Sequence, residues 1–197
     1  MLNSLTIILK KLLFFIPQFS LRQSSERIQK RQAAYLPSQA DILASIDLSC
    51  LISFGICGVI LDLDNTIVSE DDRYLSPNAE IWIEQAKGNN IKFFLLSNGK
   101  KRYRVEYWSA RLDIPAISPA RKPFPKAFRR AIKHMQLQPK QVAVIGDSRH
   151  TDVLGAWLAG CTSIQVASLP HPPRWWEKLL GKYVQKPYPK GLSLWNF

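Results

Sequence analysis

The stretch Gly58-Val59-Ile60-Leu61-Asp62-Leu63-Asp64-Asn65-Thr66 runs from an apolar segment straight into two carboxylates spaced two residues apart. An apolar run without polar alternation fits a strand buried on both faces of a parallel sheet. Segments 92–96, 142–145 and 163–167 have the same character. Between them lie helix-like stretches over 78–89, 101–112, 125–135 and 152–159. The first shows apolar spacing at Ala79, Trp82, Ile83 and Ala86. The third has Pro125 at an early helical position, where the missing N–H is tolerated. Alternation of strand and helix predicts right-handed crossovers and a doubly wound α/β sheet.

In such sheets ligands bind beyond the carboxyl ends of the strands. Asp62 and Asp64 follow the first strand, Ser97 the second and Asp147 the third. In extended chain the side chains of Asp62 and Asp64 project to the same side. Two close carboxylates repel unless a cation joins them or one is protonated. A split of roles follows from this. Asp62 would attack phosphorus, and Asp64 would protonate the leaving alcohol and later help activate water. Asp147 and Asp152 add oxygen ligands suited to Mg²⁺. Ser97 and the backbone N–H of Asn98 can hold phosphate oxygens, and Lys122 can neutralise charge on the transferring phosphoryl group. Asn65 and Thr66 shape the loop.

Each of these residues also has a bland reading. Asp after a strand is a common turn or cap residue, and Ser97-Asn98-Gly99 is a good turn. Lys122 before Pro123 could be a solvated lysine, and Asp152 an N-terminal cap. What weighs against those readings is the ordered company of four patches, each next to a predicted element.

The strand into Asp-Leu-Asp-Asn-Thr, then Leu96-Ser97-Asn98, Ala120-Arg121-Lys122-Pro123, and Ile145-Gly146-Asp147-Ser148 followed by Thr151-Asp152 resemble the haloacid dehalogenase-like phosphatase superfamily. The wording is similar to its YqeG family, subclass IIIA, over roughly residues 35–167. The resemblance implies a Rossmann-like core, Mg²⁺, Asp62 as nucleophile and Asp64 as acid/base. It also implies a metal held by Asp62, the backbone carbonyl of Asp64, and Asp147. Relatives in mitochondria and plastids act on phosphatidylglycerophosphate, which makes that lipid the expected substrate. Arg149 and His150 stand where relatives often carry apolar residues.

Thirty residues separate Thr66 from Ser97, and 23 separate Asn98 from Lys122. Neither gap holds an extra domain, which takes at least about 50 residues. The site is therefore expected to lack a large cap and to stand open, suiting a phosphate on something large. A membrane lipid or a nucleic-acid end would qualify.

At 197 residues and 46% hydrophobic, the chain can bury one sizeable core. The organisation expected is a basic amphipathic segment over 1–36, a phosphatase-like core over 37–168 and a Pro/Trp-rich basic segment over 169–197. Cys50, Cys57 and Cys161 are odd in number and lack metal-ligand spacing, which fits buried thiols in a reducing compartment. The net charge of +12 is uneven, with +5 in residues 1–36 and +4 in residues 167–197. Basic ends with aromatics suggest an anionic surface as partner.

The apolar N-terminal stretch is interrupted by Lys10 and Lys11 and is too short to span a bilayer, which takes about 20 residues. An interfacial helix on anionic lipid is the preferred reading, with an organelle-targeting segment or packing on the domain as alternatives. That places the protein in the cytoplasm, or an equivalent reducing compartment, at a membrane surface. For the C-terminal segment, a membrane interface and a flap over a sheet edge stand level.

The leading function is thus a Mg²⁺-dependent phosphomonoester hydrolase at a membrane. A nucleic-acid end phosphatase is less favoured, because no aromatic-studded basic stripe appears in the core. A small-metabolite phosphatase and a non-catalytic membrane-binding module are further alternatives, and nothing in the sequence sets an oligomeric state.

Overall fold

The computed structural model describes residues 36–173 and 177–196. Its strands are β1 (Gly58–Leu61), β2 (Tyr74–Leu75), β3 (Lys92–Leu96), β4 (Ala116–Ile117), β5 (Val142–Gly146), β6 (Thr162–Gln165) and β7 (Trp195–Asn196). Five of them form a sheet in the order β4-β3-β1-β5-β6, parallel throughout. The strand order reverses direction around central β1, so the crossover connections leave on opposite sides and a crevice opens beyond its carboxyl end. The helices are α1 (Leu48–Ser53), α2 (Ala79–Gly88), α3 (Arg102–Leu112), α4 (Pro125–Met135), α5 (Leu154–Ala159) and α6 (Glu177–Val184).

The period-two alternation of each central strand divides its side chains between two cores. Val59, Leu61, Phe93, Leu95, Ala143 and Ile145 join Trp82, Ile83 and Trp108 on one face. Ile60, Phe94, Leu96, Val142 and Val144 join Phe128, Ala131 and Ile132 on the other. Both faces are covered, which is why these strands read as continuous apolar runs. Each large apolar side chain so buried contributes roughly 1.5–3 kcal/mol.

α4 packs its Ala127, Phe128, Ala131, Ile132 and Met135 stripe inward, with Pro125 in its first turn. The predicted fourth helix begins differently from the expectation. Residues Arg149–Val153 form a π-helical turn that opens α5. Such widened turns gather at functional sites, and this one carries Asp152.

The sheet's β6 edge is covered by chain on its outer side. Ala40 N–H donates to the Gln165 carbonyl at 2.9 Å, and Gln165 N–H donates to the Ser38 carbonyl at 2.9 Å. Beyond β6, Ser168 N–H donates to the Lys186 carbonyl at 2.8 Å. β7 pairs antiparallel with β2. At Lys186 the C-terminal segment thus lies along backbone continuing from the sheet edge, while Trp175 and Trp176 lie outside the described residues. Of the amphipathic segment expected over 1–36, residues 1–35 also lie outside them. Among the described residues no helix is long and apolar enough to cross a membrane. Cys50, Cys57 and Cys161 form no disulfide and are half-buried, more exposed than the buried thiols expected from the sequence.

Candidate active site

Parallel pairing in register sets the ends of β1, β3 and β5 level. Leu61 lies opposite Leu95 on one side and Ile145 on the other. Asp62, Ser97 and Asp147 are therefore delivered one or two residues later to the same rim of the sheet. Asp62 N–H continues the ladder to the Ile145 carbonyl at 2.9 Å.

Lys122 occupies the centre. Its Nζ donates to Asp62 Oδ1 and to Asp152 Oδ1, each at 2.6 Å, and all three side chains are buried. Asn98 fixes the lysine's backbone from both sides. Its side-chain oxygen accepts from Lys122 N–H at 2.8 Å, and its amide donates to the Lys122 carbonyl at 3.0 Å. The residue expected to hold phosphate through its backbone thus also anchors the loop bearing the lysine.

Asp62, Asp147 and Asp152 offer carboxylate oxygens that all lie within 4.8 Å of one another. Asp147 Oδ2 accepts from Ser168 Oγ at 2.7 Å and from Gln185 Nε2 at 3.2 Å. Asp152 Oδ2 accepts from Ser148 N–H and Thr151 Oγ1, both at 3.2 Å. Gly146 makes room for Asp152, since a Cβ there would lie 2.4 Å from the Asp152 Cγ.

Three buried carboxylates share one ammonium. Burial opposes charge on Lys122, yet Asp152 and Asp62 outweigh it and hold the amine above the ordinary lysine range. Burial pushes the Asp62 carboxyl well above its ordinary range, against the pull of Lys122. Burial and the Asp152 charge push Asp147 up to about 7. A cluster left with excess negative charge takes up a proton or a cation. All-oxygen ligands, few in number and beside an open cleft, suit a hard divalent ion. The residues present therefore fit the metal implied by the sequence, with Asp62 and Asp147 as side-chain ligands and Asp152 beside them.

Asp64 is placed apart from that cluster. Its Oδ2 accepts from Ser97 Oγ at 2.8 Å, and its Oδ1 pairs with the Arg104 guanidinium. Ser97 Oγ in turn accepts from Gly99 N–H at 2.9 Å. Thr66 is buried in the loop beyond, its Oγ1 without a hydrogen-bond partner among the described residues. His150 lines the cleft, with Nδ1 2.7 Å from Ser148 Oγ, whereas Arg149 turns to Gln165 Oε1 at 2.9 Å.

The cleft over these groups has a volume of about 790 Å³. No cap domain is present in the described chain, in line with the short loops. The C-terminal segment nevertheless contributes Pro172, Glu177 and Gln185 to its wall. Sequence reasoning missed Arg104, Ser168 and Gln185. For Arg104 a signal exists, because it falls on the buried stripe of α3 with Val105, Trp108 and Leu112. A charged residue in such a stripe needs a partner. Ser168 and Gln185 carry no comparable signal.

Several known proteins are similar to this chain. Residues 119–184 match the HAD-hydrolase-like family model. The chain is 44% identical over 109 residues to the probable phosphatase YqeG of Bacillus subtilis, covering 55% of this chain and 63% of that protein. It is 30% identical over 115 residues to a phosphoserine phosphatase of Thermus thermophilus, covering 53% of this chain and 46% of that one. The chain thus spans less than two thirds of the length of these curated relatives. The cobalt-bound deoxy-D-mannose-octulosonate 8-phosphate phosphatase of Haemophilus influenzae shares the fold, with a TM-score of 0.50 at 22% identity over 59% of this chain and 70% of that one. Motifs, sheet order and these relatives agree in a similarity to the haloacid dehalogenase-like hydrolases, and among them to the YqeG phosphatase.

Proposed function

We propose that the protein is a Mg²⁺-dependent phosphomonoester hydrolase that works through an aspartyl-phosphate on Asp62, at a membrane surface, with phosphatidylglycerophosphate as substrate. The observation that carries the chemistry is Lys122 set between Asp62 and Asp152 at the ends of β1 and α5, with Asp147 in the same cluster.

Among the described residues, the hydrogen bonds to the Asp62 carboxylate, from Lys122 Nζ and Leu63 N–H, both go to Oδ1. Oδ2 is then the oxygen for attack on phosphorus. As the new Asp62–phosphorus bond forms, the bond from phosphorus to the ester oxygen breaks. Asp64 supplies the proton that the departing alcohol takes up. Water then attacks the aspartyl-phosphate, its proton passes to Asp64, and inorganic phosphate leaves with Asp62 restored. Lys122 neutralises charge on the equatorial oxygens throughout, where electrostatic positioning dominates catalysis. A bound divalent ion supplies Lewis-acid polarisation of the phosphoryl oxygens.

The substrate assignment is supported by three features. Resemblance to the YqeG family is one, the cap-less cleft is the second, and the basic ends are the third. The test compares phosphatidylglycerophosphate, phosphatidic acid, a 3′-phosphorylated oligonucleotide and a sugar phosphate with purified protein and Mg²⁺. Preference for phosphatidylglycerophosphate, abolished by Asp62→Asn, is expected. Preference for the oligonucleotide would replace the lipid reading, and undiminished turnover by Asp62→Asn would remove Asp62 as nucleophile.

A further inference from the structure

Arg104 is a buried guanidinium that the phosphoryl-transfer chemistry above does not use. It leaves α3 and spends each of its three nitrogens on an acceptor. Nε donates to Asp72 Oδ1 at 2.5 Å, Nη2 to the Ser69 carbonyl at 2.7 Å, and Nη1 to Asp64 Oδ1. Arginines on helix surfaces ordinarily keep the charged head in water. This one is only 6% exposed and lines the cleft.

Its three acceptors belong to two neighbouring parts of the chain. Asp64 stands two residues past the proposed nucleophile. Ser69 and Asp72 belong to the following loop, which is stiffened by its own hydrogen bonds. Ser69 Oγ accepts from Arg73 N–H and Tyr74 N–H, each at 3.0 Å, and donates to Asp71 Oδ1 at 2.7 Å. That loop lends Glu70 and Asp71 to the cleft wall. The planar fork of the guanidinium thus fixes one carboxylate by reference to a rigid loop, which a flexible ammonium could not do equally well.

From the other side, Ser97 Oγ holds Asp64 Oδ2 at 2.8 Å. Gly99 closes the remaining space, for a Cβ there would lie 3.1 Å from Asp64 Oδ2. Each oxygen of Asp64 therefore has one partner, which sets the carboxyl plane before substrate arrives and leaves a further lone pair for the transferred proton.

We infer that Arg104 is the positioning residue for proton transfer by Asp64, with Asp72 holding the guanidinium in place. The inference rests on the phosphomonoester hydrolase reading and adds a residue to it. It has a signature that a merely structural role lacks. In the first step the proton from Asp64 goes to the ester oxygen as its bond to phosphorus breaks. An alkyl alkoxide needs that proton, whereas p-nitrophenolate leaves without it. In the second step water gives its proton to Asp64 whichever alcohol has left.

The experiment measures kcat/KM for p-nitrophenyl phosphate and for a simple alkyl phosphate, with saturating Mg²⁺, in wild type, Arg104→Met, Arg104→Lys and Asp72→Asn. General acid catalysis contributes about 10²–10⁴-fold. Arg104→Met is therefore expected to lose about 100-fold or more on the alkyl ester and only a few-fold on the aryl ester. The aryl ester should also show a burst of p-nitrophenolate, because hydrolysis of the aspartyl-phosphate is now slow. Arg104→Lys should recover part of the alkyl activity. Asp72→Asn, which leaves the arginine in place, should show the same selectivity to a smaller degree and keeps the question answerable if Arg104→Met fails to fold. Equal losses on both esters, or no loss in any variant, would overturn this inference alone. A wild type that turns over neither ester would overturn the hydrolase reading and this inference with it.

Discussion

Gln185 Nε2 donates to Asp147 Oδ2 at 3.2 Å, joining the residue just past α6 to the one just past β5. Ser168 Oγ takes the same oxygen at 2.7 Å, and Gln165 Nε2 donates to the Asp147 backbone carbonyl at 2.9 Å. Among the described residues, Oδ1 of Asp147 carries no hydrogen bond, which leaves it to a cation. Partners behind a ligand typically tune metal affinity 10–100-fold. Gln185→Leu is therefore expected to raise the Mg²⁺ dissociation constant by about tenfold, measured by calorimetry, with an unchanged circular dichroism spectrum. Unchanged affinity would show that Ser168 alone orients the ligand.

The pH dependence of stability follows from the raised carboxyls. Burial first, then the Asp152 charge, brings Asp147 to about 7 in the folded protein, and Asp62 moves in the same direction. In the unfolded chain such carboxyls titrate near about 3.9. Between these values the folded state binds more protons than the unfolded state, so stability falls as pH rises through the window. A divalent ion held by the ionised carboxylates would cancel the penalty. The melting temperature without metal should fall from pH 5 to pH 7.5, and the gain on adding MgCl₂ should grow over the same range. A thermal-shift series with and without EDTA reads both, and a Mg²⁺ gain that shrinks with rising pH contradicts the assignment.

The strands were legible because both faces are buried. Val59 and Leu61 point to one core and Ile60 to the other, so apolar residues are required at every position. Asp62, Ser97 and Asp147 were legible for a related reason, since each directly follows such a run. Two-residue elements leave no pattern of this kind. β2 and β7 exist through pairing across most of the chain, Tyr74 with Asn196 and Leu75 with Trp195. The start of α5 was misread because the π-helical turn over Arg149–Val153 shifts the register by a residue while keeping helical composition. Gln185 was invisible because its role depends on where the chain returns, which no local spacing encodes.

The membrane reading is testable apart from the chemistry. Residues 1–20 contain only Lys10 and Lys11 as charged groups among Leu, Ile and Phe, a composition suited to anionic interfaces. Deleting them should weaken sedimentation with vesicles containing phosphatidylglycerol by at least tenfold, while p-nitrophenyl phosphate turnover stays within about twofold. Equal vesicle binding by the deletion would place the membrane contact elsewhere or nowhere.

Two glycines near the rim separate stability from chemistry. A Cβ at Gly155 would lie 2.3 Å from Phe128 Cζ, inside the core between α4 and α5. Gly155→Ala must move a fully buried ring, and overpacking of this kind costs typically about 1–3 kcal/mol. A Cβ at Gly146 would lie 2.4 Å from Asp152 Cγ and 2.5 Å from its Oδ2. Asp152 is 1% exposed and held at Oδ1 by Lys122, so it can yield only by loosening that ion pair. The lysine would then shift relative to Asp62, which it also holds at 2.6 Å. Displacements near 1 Å at a reacting centre can cost about 10²-fold in rate. Gly146→Ala should therefore lose about 100-fold in kcat, and Gly155→Ala should lower the melting temperature with kcat nearly intact at 20 °C. If Gly146→Ala kept wild-type kcat, the Lys122–Asp152 pair would have no part in holding the catalytic geometry.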